Sequence, residues 1–199
     1  MMRRTTLPVL AAAAAILIAG CSEKSPGRPS SVATADSGTT RTPGTTGSSS
    51  AKGDLNPERY ADKPCELLKP AQLSGLGSFK APESDKGVLG PSCTWYAQKV
   101  LEGTTYEVTV VTDGTRFPDM VSNTKDEPVF REAEVAGYRA VSSDGTDGKG
   151  NCGTSVEVTG AGGWFLLQAS VENKKSPDYT DTCATTEKVA ALVVQNLKG

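Results

Sequence analysis

The chain contains no histidine. That absence excludes histidine triads, imidazole general bases and histidine-containing metal sites. No two cysteines stand as C-x-x-C, so a thioredoxin-like redox pair and a zinc ribbon are excluded as well. No G-x-S-x-G occurs, which removes the nucleophile elbow of the α/β-hydrolases. Gly148-Lys149-Gly150 lacks the following Ser or Thr and the spaced upstream glycine of a phosphate loop. There is no basic run and no interleaving of basic and aromatic residues, so nothing suits a nucleic-acid partner. Beyond residue 20, no apolar run approaches the roughly 20 residues that a membrane span requires.

What is present begins at the N-terminus. Arg3 and Arg4 precede an apolar run from Val9 to Ile18, which ends in Ile18-Ala19-Gly20-Cys21. This is a charged n-region, an apolar h-region and a small-residue cleavage site. With cysteine after the cut it reads as a bacterial lipobox. Residues 1–20 are therefore expected to be a lipoprotein signal peptide, and Cys21 the lipidated first residue of the mature chain. Two or three acyl chains, at about 0.8 kcal/mol per buried methylene, give stable anchoring. The expected location is the extracytoplasmic face of the cell membrane. The arginine pair is compatible with either Sec or twin-arginine export.

Residues 21–60 then read as the anchor cysteine and a tether. From Ser25 to Gly53 the chain is Ser, Thr, Gly and Pro with scattered charges. Such a composition cannot bury enough surface to offset ordering entropy. As a flexible coil it spreads over about 35 Å. Its threonines and serines, Thr39 to Ser50 among them, would serve as acceptors if the stalk were O-glycosylated.

Residues 61–199 are expected to form one globular domain. It carries 14 Lys and Arg against 19 Asp and Glu, an acidic balance that argues against nucleic acid and anionic lipid surfaces. Apart from Cys21, which lies outside it, the chain's cysteines are all in this domain: Cys65, Cys93, Cys152 and Cys183. An even number in an exported domain implies two disulfides. Three pairings are possible. The favoured one is Cys65 with Cys93 and Cys152 with Cys183, each closing a loop worth about 3.5 kcal/mol.

The domain opens on a short helix near Pro70, with Gly77 as its stop. Cys93–Lys99 and Thr105–Thr112 read as a hairpin, with Tyr106, Val108 and Val110 on one side. Phe117–Asn123 reads as a short helix and Gly137–Ser142 as a strand. Ser155–Thr159 and Trp164–Val171 form a second hairpin. In it Trp164, Leu166 and Gln168 face one way, and Phe165, Leu167, Ala169 and Val171 the other. An amphipathic helix from about Asp181 to Leu197 closes the chain, capped by Asp181 or Thr182. The expected fold is α+β: an antiparallel sheet of about five strands with the N- and C-terminal helices on one face.

The arrangement resembles DUF3558, an actinobacterial lipoprotein family of unknown function. The matching features are Cys21 and the tether, Pro64-Cys65-Glu66-Leu67-Leu68 with Pro70-Ala71-Gln72-Leu73, and Cys93-Thr94-Trp95. Cys152 ahead of an alternating strand and Cys183 opening a terminal helix complete them. These are framework motifs. The resemblance implies an actinobacterial envelope location and no known activity. Lys69 departs from it, standing where members usually carry a helix-capping Thr or Ser, which implies a weaker helix start.

Few candidates for chemistry remain. Asp144 to Asn151 has the composition of a calcium loop, but the D-x-D-x-D-G register fails and Ser155 stands in the twelfth position. It reads as a solvated turn. Asp113 and Asp119 bracket Arg116 and could pair as acid and base. Trp95 and Trp164 could line a cleft, though both also suit a core. No cofactor, metal or catalytic residue is indicated. The expectation is a tethered, non-enzymatic module that binds an envelope protein, a wall polymer or a small ligand. The alternatives are a carboxylate-dependent wall hydrolase and a ligand-sensing domain of an envelope signalling assembly.

Overall fold

The computed structural model describes residues 54–199. The expected signal peptide, Cys21 and most of the expected tether lie outside the described residues. Among the described ones, no helix is long and apolar enough to cross a membrane.

Seven strands form one antiparallel sheet. In chain order they are β1 (Glu83–Lys86), β2 (Pro91–Trp95), β3 (Thr104–Val110), β4 (Val129–Val135), β5 (Tyr138–Asp144), β6 (Asn151–Glu157) and β7 (Trp164–Val171). Their spatial order is β1-β2-β3-β7-β6-β5-β4. A three-stranded and a four-stranded meander thus meet at the central β3–β7 pair. Between them the chain must cross from the middle of the sheet to its far edge. That crossing carries helix α2 (Phe117–Thr124). The other helices are α1 (Pro70–Leu76), the single turn α3 (Pro177–Thr180) and α4 (Thr182–Lys198).

Strand periodicity separates two faces. On the first, Tyr106, Val108 and Val110 of β3 lie beside Phe165, Leu167 and Ala169 of β7, and all are buried. Helix α4 covers them with Val189, Ala190, Val193, Val194 and Leu197. Leu67 and Leu68, from a 3-10 turn just before α1, complete this core. Burial of each such side chain contributes about 1.5–3 kcal/mol. Asp181 caps α4 by accepting from the Ala184 amide at 3.1 Å, since the first helical amides have no partner within the helix.

The terminal helices do share one face, but α2 occupies the opposite one. There Phe117 and Met120 meet Val111, Val141 and Trp164 in a second, smaller core. The sheet also has seven strands rather than five. The two added strands are its edges. β1 reads Glu-Ser-Asp-Lys and is exposed throughout, and β4 interleaves Arg131, Glu132 and Glu134 with apolar residues. Charged edges discourage pairing with other chains, and the same charges erase the alternation that marks an inner strand.

The domain also begins before residue 61. The Leu55 amide donates to the Val158 carbonyl at 2.8 Å, and Asp54 accepts from the Gly160 amide at 2.8 Å. Arg59 donates to the carbonyls of Asn196 and Leu197 at 3.0 and 2.7 Å. These carbonyls at the end of α4 have no partner within the helix and attract a cation, a contact invisible to composition.

Disulfides join Cys65 to Cys93 and Cys152 to Cys183. The first ties the segment before α1 to β2; the second ties the start of α4 to β6. Beside the second runs a buried polar seam. Ser142 and Thr154 hydroxyls lie 2.8 Å apart, and Thr154 and Thr186 hydroxyls 2.6 Å apart. Ser142 also donates to Glu187 at 2.8 Å, which Arg131 holds at 3.0 Å. Every hydroxyl in it has a partner, as burial requires.

Candidate functional site

The crossover places α2 over only part of the second sheet face. Between α2 and strands β5, β6 and β7 lies a groove of about 470 Å³, within the range of small-molecule sites. Leu89, Met120, Trp164 and Leu166 supply apolar surface at the end next to α2. Along the strands the wall turns polar, with Ser143, Ser155, Gln168 and Ser170. Period-two alternation explains this: the residues between them point into the core under α4. Charge enters only at Glu127 and Asp144.

Trp164 is the anchor of the groove. Its indole N–H donates to the Thr115 carbonyl at 2.9 Å, so the ring is held against the start of α2. The same loop is pinned twice more. The Phe117 amide donates to the Gly162 carbonyl at 2.9 Å, and Arg116 Nε donates to the Ala161 carbonyl at 3.0 Å. The groove therefore has a fixed wall at this end.

Of the acidic candidates, Asp119 lies in the first turn of α2, while Asp113, Asp144 and Asp147 accept hydrogen bonds from their own loops. Asp113 accepts from the amide and the hydroxyl of Thr115 at 2.9 and 2.8 Å. Those bonds hold its carboxyl below the usual carboxylate range, the wrong direction for a general acid. Arg116, between the two aspartates, is engaged with Ala161 instead. Asp144 Oδ2 accepts from the amides of Thr146 and Gly148 at 3.0 and 2.9 Å, closing its own loop as an Asx turn. Asp147 is drawn down by its hydrogen bond to Lys149. Among the described residues, no three acidic or cysteine side chains are grouped to hold a metal ion.

Trp95 goes to the other face. It is 1 % exposed, and its indole N–H is buried without a protein acceptor. Leaving such a donor unpaired costs about 1–3 kcal/mol. The pairing of tryptophan with strand signals in the sequence suggested a cleft or a core but could not place the two rings on opposite faces. The polar part of the groove gave no signal in the sequence, because Ser143, Ser155 and Gln168 come from three different strands.

An α+β domain stapled by two disulfides, with one helix-covered face and one partly open face, is the class these features define. The chain belongs to the family described as Protein of unknown function (DUF3558), whose model matches residues 16–196. No curated protein and no solved structure matches it. Lys69 lies directly before α1. It stands at the α1 N-cap, where its side chain cannot accept a hydrogen bond. Gln72 compensates by accepting from the Lys69 amide at 2.8 Å, half of a capping box.

Proposed function

We propose that this chain is a lipid-anchored, extracytoplasmic module of the actinobacterial cell envelope that binds a ligand or partner and catalyses no reaction. The observation that carries the reading is the groove beside α2. It offers a fixed tryptophan, an apolar end and a row of uncharged hydroxyl and amide groups. That mixture suits a neutral, hydroxyl-rich ligand such as a wall-polymer fragment, with apolar surface for its ring faces and polar groups for its hydroxyls. Charge is confined to two side chains, so selectivity rests on shape and hydrogen bonding.

The test is native mass spectrometry of the protein mixed with cell-envelope extract. The expected result is a discrete retained mass that is lost in Trp164→Ala and in Gln168→Ala. A bare protein mass in every extract, together with fragments newly released from the wall material, would replace this reading with a hydrolase. Gln168 is exposed, so its substitution leaves the core intact.

A further inference from the structure

A second cavity lies on the opposite face of the sheet, between α1 and β2, with a volume of about 660 Å³. Leu68, Leu73, Phe79 and Trp95 give it an apolar interior, and Lys69 and Lys80 stand on its lining. The Trp95 indole N–H is the one buried side-chain donor without a partner among the described residues. Most buried polar side-chain atoms have a partner in the protein or in ordered water, so this donor calls for an explanation. The lysines are similarly uncommitted. Glu66, the acid of this cavity, pairs with Lys63 at 2.8 Å, and neither Lys69 nor Lys80 has an ion pair among the described residues. The cavity is thus locally basic on a domain that is acidic overall.

The cover is lightly held. Helix α1 has seven residues, none fully buried. Leu73 and Leu76 pack only partly on the core, and Gln72 reaches Asn196. A seven-residue helix is marginal without its tertiary contacts, so these few contacts hold α1 in place.

We propose that this cavity binds a long-chain carboxylate, an amphiphile of the fatty-acid type. Its chain lies against Leu68, Leu73 and Phe79. Its carboxylate accepts from the Trp95 indole N–H and neutralises Lys69 and Lys80. A neutral lipid of equal length leaves the two lysines unpaired, and a cationic amphiphile is repelled by them. The site is independent of the groove beside α2, which lies on the other face and contains no lysine.

The experiment uses the full chain carrying Cys21→Ala, labelled with nitrogen-15 and purified without detergent. The chain has two tryptophans, and Trp95→Phe identifies which indole N–H signal is which. Oleate is titrated below its aggregation concentration, with oleyl alcohol as the neutral control. The Trp95 signal is expected to move and saturate at one oleate per protein, while the Trp164 signal stays. The alcohol, and oleate on the surface variant Lys69→Gln/Lys80→Gln, should bind about tenfold more weakly, a difference of about 1.4 kcal/mol. Leu73→Trp, which fills the cavity, should abolish the shift. A stationary Trp95 signal overturns the proposal, and so does equal binding of acid and alcohol. Movement of the Trp164 signal alone overturns it too and assigns the lipid to the groove.

Discussion

Asn196 does more for this fold than its place near the end of α4 suggests. Its side-chain amide donates to the Leu67 carbonyl at 2.8 Å and to Gln72 at 2.7 Å, while its own carbonyl accepts from Arg59. One buried polar residue thus fastens three points of the N-terminal segment to the C-terminal helix. Asn196→Ala strands the Leu67 carbonyl, so a loss of about 1–3 kcal/mol is expected, read as a lower urea midpoint. Tyr106 sets a pH limit. Burial pushes its phenol above the ordinary 10.0, outweighing a hydrogen bond with Thr104 that pulls the other way. The fold therefore favours the protonated phenol. Its stabilisation is complete below about pH 10 and is lost as pH rises through the folded value. Stability measured from about pH 8 to 11.5 should fall at the alkaline end, and Tyr106→Phe should reduce that fall. Tyr138 is shifted in the same direction by burial, so the slope should shrink without vanishing.

Among the elements, the β4–β5 hairpin holds a conflict between local preference and tertiary need. Val135 pairs with Tyr138, leaving the two-residue turn Ala136-Gly137. Both residues have positive φ, 52° and 90°, as a type I′ turn demands. Glycine adopts this freely; alanine at that φ is strained by about 1–2 kcal/mol. Ala136→Asn should therefore stabilise the protein by about 0.5–1 kcal/mol, seen as a higher melting temperature with an unchanged groove. The hairpin also shows what was legible. Strand β5 (Tyr138–Asp144) overlaps the strand expected over Gly137–Ser142. Its partner β4 was not legible, because an edge strand presents charges on its open side and lacks a continuous apolar period. β1 carries no apolar residue at all.

For the molecule as a whole, the central prediction concerns attachment. If Cys21 is acylated, Cys21→Ala should move the protein from the membrane fraction to the soluble one, with the domain's two disulfides intact by mass. A variant that remains entirely with the membrane would overturn the lipoprotein reading. The architecture suits a held module: two disulfides anchor the segment before α1 and the start of α4 to the sheet, and the two cavities lie on opposite faces.

The sequence by itself determined what depends on local period and spacing. Alternation decided which residues of β3 and of β7 share a face, and the helical stripe decided the buried side of α4. The cysteine count limited the disulfides to three pairings. Only the tertiary structure decided which pairing forms, where the sheet ends, and which face α2 covers. It also decided that Trp164 is satisfied by Thr115 while Trp95 is left without an acceptor. Those outcomes rest on contacts between residues far apart in the chain, such as Trp164 with Thr115 and Asn196 with Leu67. No local pattern encodes which distant backbone group will come within 3 Å of a given side chain. The groove has the same origin, since its walls exist only once α2 has crossed the sheet.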